Sequence, residues 1–73
     1  MINNKIKFIK LTAIILGISR KIWVRPDLIT KIYTVDNLTH ISYLVNGEGG
    51  ELVDYRISET PETIIAEIEK INI

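Results

Sequence analysis

Apolar and polar residues alternate along most of this chain, and the alternation changes to a helical period only near its end. Ile9, Leu11, Ala13 and Ile15 fall on one side of a period of two, with Lys10, Thr12, Ile14 and Leu16 on the other, which predicts a first strand from Ile9 to Gly17. Because Ile14 and Leu16 make its far end apolar on both faces, that end is expected to be covered on both sides, by the helix on one and by another chain on the other. Gly17 breaks the run, and Ser19 to Lys21 are expected to form the turn. Ile22-Trp23-Val24-Arg25 reads as a short second strand that Pro26 ends, since proline has no amide donor and biases the residue before it towards extended geometry.

Asp27 follows where a carboxylate can accept local backbone amides and fix a corner. Leu28 to Val35 alternate again, with Leu28, Thr30, Ile32 and Thr34 on one face and Ile29, Lys31, Tyr33 and Val35 on the other. Asp36-Asn37 is a turn signal, and a further strand is expected over Thr39–Val45. The run Asn46-Gly47-Glu48-Gly49-Gly50 should join it to Leu52–Ile57 as a β-hairpin. That loop lies between two strands with no lysine after it, so it does not have the form of a phosphate-cradling loop. Thr60 is an N-cap candidate, Pro61 suits the first helical position, and Glu62 puts negative charge at the positive end of the helix dipole. Ile64, Ile65, Ile68 and Ile71 then recur at helical spacing over residues 60–71. The expected fold is α+β: a small antiparallel β-meander of four to five strands with one C-terminal amphipathic helix, in a single domain over residues 1–73 whose first five residues are flexible.

Composition narrows the chemistry. With 73 residues and no cysteine there is room for one core and no disulfide or thiolate zinc site to staple it, so stability rests on apolar burial and self-association would help. Charge is zero overall but divided. Lys5, Lys7, Lys10, Arg20, Lys21, Arg25 and Lys31 face only Asp27 before residue 35, an excess of six positive charges, and the remainder of the chain carries an equal negative excess. The two halves can face each other within one fold or across a dimer, or the basic half can present a positive face to an anionic partner. Zero net charge argues against tight nucleic-acid binding, which draws on counterion release. The lysines before Leu11–Ile18 superficially resemble a signal peptide, but Arg20 and Lys21 close the apolar run after about eight residues and no small-residue cleavage site follows. A cytoplasmic protein without a membrane span is the expectation.

No catalytic, metal or cofactor site is legible. His40 is a lone histidine on an alternating strand, and Glu48, Glu51 and Asp54 match no calcium-loop spacing, so they read as loop and edge charges. Trp23, Tyr33, Tyr43 and Tyr55 lie on expected strands. They either fill the core and its rim, or form a stacking surface with Arg20, Lys21, Arg25 and Lys31 for single-stranded nucleic acid, or anchor a protein interface. The candidate interaction surface is therefore Trp23, Arg25, Tyr33, Arg20, Lys21 and Lys31.

Phe8-Ile9-Lys10-Leu11-Thr12, Ile22-Trp23-Val24-Arg25-Pro26-Asp27-Leu28-Ile29 with Ile32, a polar hairpin, and Ile57-Ser58-Glu59-Thr60-Pro61-Glu62-Thr63-Ile64 together resemble the FlbD/SwrD family of small bacterial flagellar and swarming-motility proteins, over roughly residues 8–71. Arg25 stands where that family usually has asparagine, Tyr33 and Thr34 replace an expected acidic residue, and Gly17-Ile18-Ser19 fits its early glycine turn loosely. The resemblance implies a non-enzymatic accessory protein that acts by contact, with no catalytic residue to carry over. Two functional expectations follow: an interaction module that binds a protein partner or self-associates as a homodimer or higher oligomer, and, as the alternative, a single-stranded nucleic-acid binder.

Overall fold

The computed structural model describes residues 7–45 and 50–71. Five antiparallel strands, β1 (Ile9–Ile15), β2 (Ile18–Val24), β3 (Ile29–Val35), β4 (Leu38–Val45) and β5 (Glu51–Ile57), form one sheet in the order β2-β1-β5-β4-β3. The helix α1 (Pro61–Ile71) closes the chain, so the fold is α+β as the pattern predicts. Strands β3, β4 and β5 run as a meander, and the β1–β2 hairpin joins it through β5. The expected flexibility of residues 1–5 and most of the Asn46–Gly50 loop lie outside the described residues. Among the described residues, no helix is long and apolar enough to cross a membrane.

A short link forces this sheet to curl. The edge strands β2 and β3 are joined only through Arg25 and a single 3-10 turn, Pro26–Leu28. Five residue steps span at most about 17 Å of extended chain, whereas the outer strands of a flat five-stranded sheet stand about 19 Å apart. The 3-10 turn shortens the link further. Accordingly the end of β2 reaches β4, which is not its neighbour in the sheet: the Arg25 backbone N–H donates to the Tyr43 hydroxyl at 3.0 Å. Helix α1 lies inside the curl against β1 and β3.

The core gathers Ile9, Leu11 and Ala13 of β1, Val24 of β2, Ile41 of β4, Ile57 of β5 and Ile64 of α1. Ile22, Ile29, Ile32, Tyr43, Tyr55, Ile68 and Ile71 pack around them. Thr60 caps the helix as its sequence implies, its hydroxyl accepting the Thr63 N–H at 3.2 Å.

Two sequence expectations change. The first turn is Leu16-Gly17, and Ser19 to Lys21 belong to a seven-residue β2 whose pairing with β1 runs from Ile15↔Ile18 to Ile9↔Val24. The β3 alternation is also broken. A register shift between Ile29 and Lys31 places one extra residue opposite β4, so Ile29 joins Ile32 on the core side while Lys31 and Tyr33 pair with the outward Ser42 and His40.

Candidate functional site

The helix covers one face of the sheet, and the other carries the polar and charged members of each strand. At its centre, Asp54 of β5 ties three strands together. The Tyr33 hydroxyl donates to Asp54 Oδ1 at 2.5 Å, and His40 Nδ1 lies 3.0 Å from Asp54 Oδ2. Tyr33 and His40 sit directly opposite each other on β3 and β4, with rings stacked at 5.3 Å, and Lys31 Nζ lies 4.9 Å from the Tyr33 ring centre. The hydrogen bond from Tyr33, with a smaller contribution from His40, holds the Asp54 carboxyl below its ordinary pKa; the same bond raises that of Tyr33. This cluster is a cross-strand clamp, and Asp54 is its hub rather than a loose edge charge.

A second carboxylate anchors the other hairpin. Strand β1 pairs with β5 at only two positions, Ala13↔Ile57 and Ile14↔Arg56. Beyond them Ser58 donates its N–H to the Thr12 carbonyl at 2.8 Å, and the Glu59 side chain takes over from the strand. It accepts the Thr12 N–H at 2.8 Å and the Thr12 hydroxyl at 3.0 Å, and Lys21 Nζ donates to that hydroxyl at 2.8 Å. Without Glu59 the Thr12 amide would be a part-buried donor with no strand to pair with.

Towards its tip the β1–β2 hairpin has no such support. Ile15 is 38% exposed, Leu16 95% and Ile18 54%, so the expected covering of this end by the helix is absent. Leu16 (φ +52°) and Gly17 (φ +77°) both occupy the left-handed region, the arrangement of a type I′ two-residue turn. Gly17 is suited to it. Leucine at positive φ brings Cβ against the following carbonyl, a strain of about 1–2 kcal/mol. An exposed apolar side chain held in strained backbone is a combination that folding alone does not favour.

The sequence-predicted surface residues are split by the fold. Arg20, Lys21 and Trp23 lie on β2, and Lys31 and Tyr33 on β3, with three strands between them in the sheet. Trp23 is 62% exposed, with Lys10 Nζ at 5.9 Å from its ring, so it is not a core residue. Arg25 turns to Asp27 with contacts of 3.2 and 2.7 Å; that hydrogen bond raises the guanidinium pKa and lowers that of the carboxyl. Tyr33 commits its hydroxyl and ring to Asp54, His40 and Lys31. Tyr43 and Tyr55 meet edge to face at 6.4 Å beside the core. Arg20, Lys21 and Trp23 are therefore brought together on one hairpin, and Tyr33, Lys31 and Arg25 are held elsewhere. The residue that pattern reading missed as a surface element is Leu16, and its signal was present: a leucine before glycine where hairpin turns favour asparagine. Comparison with protein-family models, with curated proteins and with solved structures gives no match to this chain.

Proposed function

We propose that this chain is a non-enzymatic accessory module that works by contact, with the β1–β2 hairpin as its docking element. The observation that carries this reading is Leu16, almost fully exposed at positive φ between the exposed Ile15 and Ile18. A tip of this kind serves recognition better than folding, because contiguous exposed apolar residues mark interaction sites on small proteins. The FlbD/SwrD resemblance supports a contact role of the same kind, including a motility-associated one, and it brings no catalytic residue.

Retention on a weakly apolar chromatography matrix tests the docking element without requiring a known partner. Leu16→Asn should elute well before the wild-type protein while its circular dichroism is unchanged. Equal retention of the two would remove the tip as the adhesive surface.

A second reading rests on Trp23, exposed on the same hairpin beside Lys10 and Lys21: a stacking contact to single-stranded nucleic acid. Quenching of its fluorescence by an oligonucleotide at low salt supports this reading, and an unchanged spectrum ends it.

A further inference from the structure

Resting on the docking reading above, we infer that the surface met by the hairpin tip is an anionic lipid bilayer. Three observations on the hairpin lead there. The first is the order of its side chains along the axis. Leu16 stands at the apex, Ile15 and Ile18 flank it, and the exposed Arg20 and Lys21 follow on β2. At about 3.3 Å per strand residue, Arg20 lies about 10 Å behind Gly17. An interfacially bound segment buries its apolar side about 5–10 Å into the headgroup boundary. Arg20 therefore reaches the phosphates when the leucine and isoleucines reach the acyl chains, while Lys21 stays at the Thr12 hydroxyl.

The second observation is charge segregation. From Phe8 to Val24 the chain carries Lys10, Arg20 and Lys21 and no aspartate or glutamate. Among the described residues, the carboxylate hydrogen-bonded to this hairpin is Glu59, on Thr12, several residues behind the tip. The acidic residues of α1, Glu62, Glu67 and Glu69, belong to another element. A hairpin that is positive throughout is attracted to anionic lipid and repels another hairpin like itself, which disfavours tip-to-tip pairing of two copies.

The third is area. Three side chains around one turn are a small footprint beside the roughly 800 Å² per partner of a stable protein interface. A bilayer needs no shaped counterpart, and small apolar and electrostatic contributions add on it. The strained leucine also fits this use. Positive φ at both turn residues keeps the loop to two residues, so the apolar side chain is presented at the apex of a tight turn.

Vesicle flotation with the full chain tests the proposal. Wild-type protein should float with vesicles of phosphatidylglycerol and phosphatidylcholine, and bind pure phosphatidylcholine weaker by roughly tenfold or more, given the contribution of each basic residue near an anionic surface. Leu16→Asn should weaken binding to the mixed vesicles by roughly tenfold, the worth of burying one leucine side chain. Arg20→Gln should weaken it about fivefold, the worth of one basic residue near an anionic surface, and added salt should weaken wild-type binding. Asp36→Ala, at the opposite hairpin turn, should bind as wild type does. Failure of wild-type protein to float, or flotation of Leu16→Asn at wild-type level, overturns the lipid assignment. If flotation fails while the matrix retention of Leu16→Asn still drops, the docking reading survives and the tip meets a protein instead; a concentration-dependent sedimentation coefficient would then identify that protein as a second copy.

Discussion

The β1–β2 and β3–β4 hairpins turn on the same kind of backbone and are treated differently by the chain. Each has a two-residue loop with both residues at positive φ, closed by a pair of apolar residues, Ile15↔Ile18 in one and Val35↔Leu38 in the other. At Asp36-Asn37 the side chains are of the type that this conformation tolerates, whereas at Leu16-Gly17 the first is not. Their support differs in the same sense. The β3–β4 hairpin is paired with β5 from Thr39↔Ile57 to Val45↔Glu51 and clamped by Asp54, while the β1–β2 hairpin meets β5 at two positions and is otherwise tied at Thr12 by Ser58 and Glu59 and at the end of β2 by the Arg25–Tyr43 hydrogen bond. One hairpin is built into the sheet, and the other is anchored at one end and free at its tip. Side chains agree with the backbone at the turn built into the sheet and conflict with it at the turn with the free tip, which is what the docking proposal expects.

Glu59→Ala attacks this contrast where its effect should be largest. Removing the carboxylate leaves the Thr12 N–H without a partner in a part-buried position, and an unsatisfied donor of that kind costs about 1–3 kcal/mol. Urea denaturation should show the loss, with fast amide exchange spreading from the tip towards Thr12. A variant of wild-type stability would mean that Glu59 contributes nothing to holding this hairpin at Thr12.

Acid sharpens the contrast from the other side, with a smaller effect. The folded-state pKa of Asp54 is lowered by Tyr33 and His40, so its contribution is complete above the unfolded carboxylate value of about 3.9 and is lost as pH falls through the lower folded value. The β3–β4 hairpin should therefore loosen from β5 below about pH 4. Because Asp54 is 46% exposed, solvent screening keeps the effect modest. Urea midpoints between pH 7 and pH 3 should fall less steeply in Asp54→Asn than in wild type; identical slopes would remove Asp54 as the acid-sensitive tie.

Much of the architecture was legible because local and tertiary preferences agree. The alternation of β1 survives into the core as Ile9, Leu11 and Ala13, and Thr60-Pro61 marks the start of α1 where the structure has it. Ser19–Lys21 carries turn-like residues although it lies in a strand, for a physical reason. Serine, arginine and lysine look like a loop, yet on an edge strand with exposed faces they cost little, and the real turn was disguised by its leucine. Asp54 and Glu59 were not legible as anchors, because their roles depend on which strands lie beside β5 and in what register, and composition carries no such information. The same holds for the proposed surface residues. Arg20, Lys21 and Trp23 were grouped with Tyr33 and Lys31 by their nearness in sequence, and the strand order separates them.

The claim that Leu16 is kept against the preference of its own turn is tested most directly by the urea midpoints of Leu16→Asn and Asp36→Leu beside wild type. Asparagine at position 16 should stabilise the fold by about 1 kcal/mol, and leucine at position 36 should destabilise it by about as much, since each exchange changes the strain of one positive-φ residue. A fall in stability for Leu16→Asn would contradict the account, because it would show that leucine at the tip serves the fold after all.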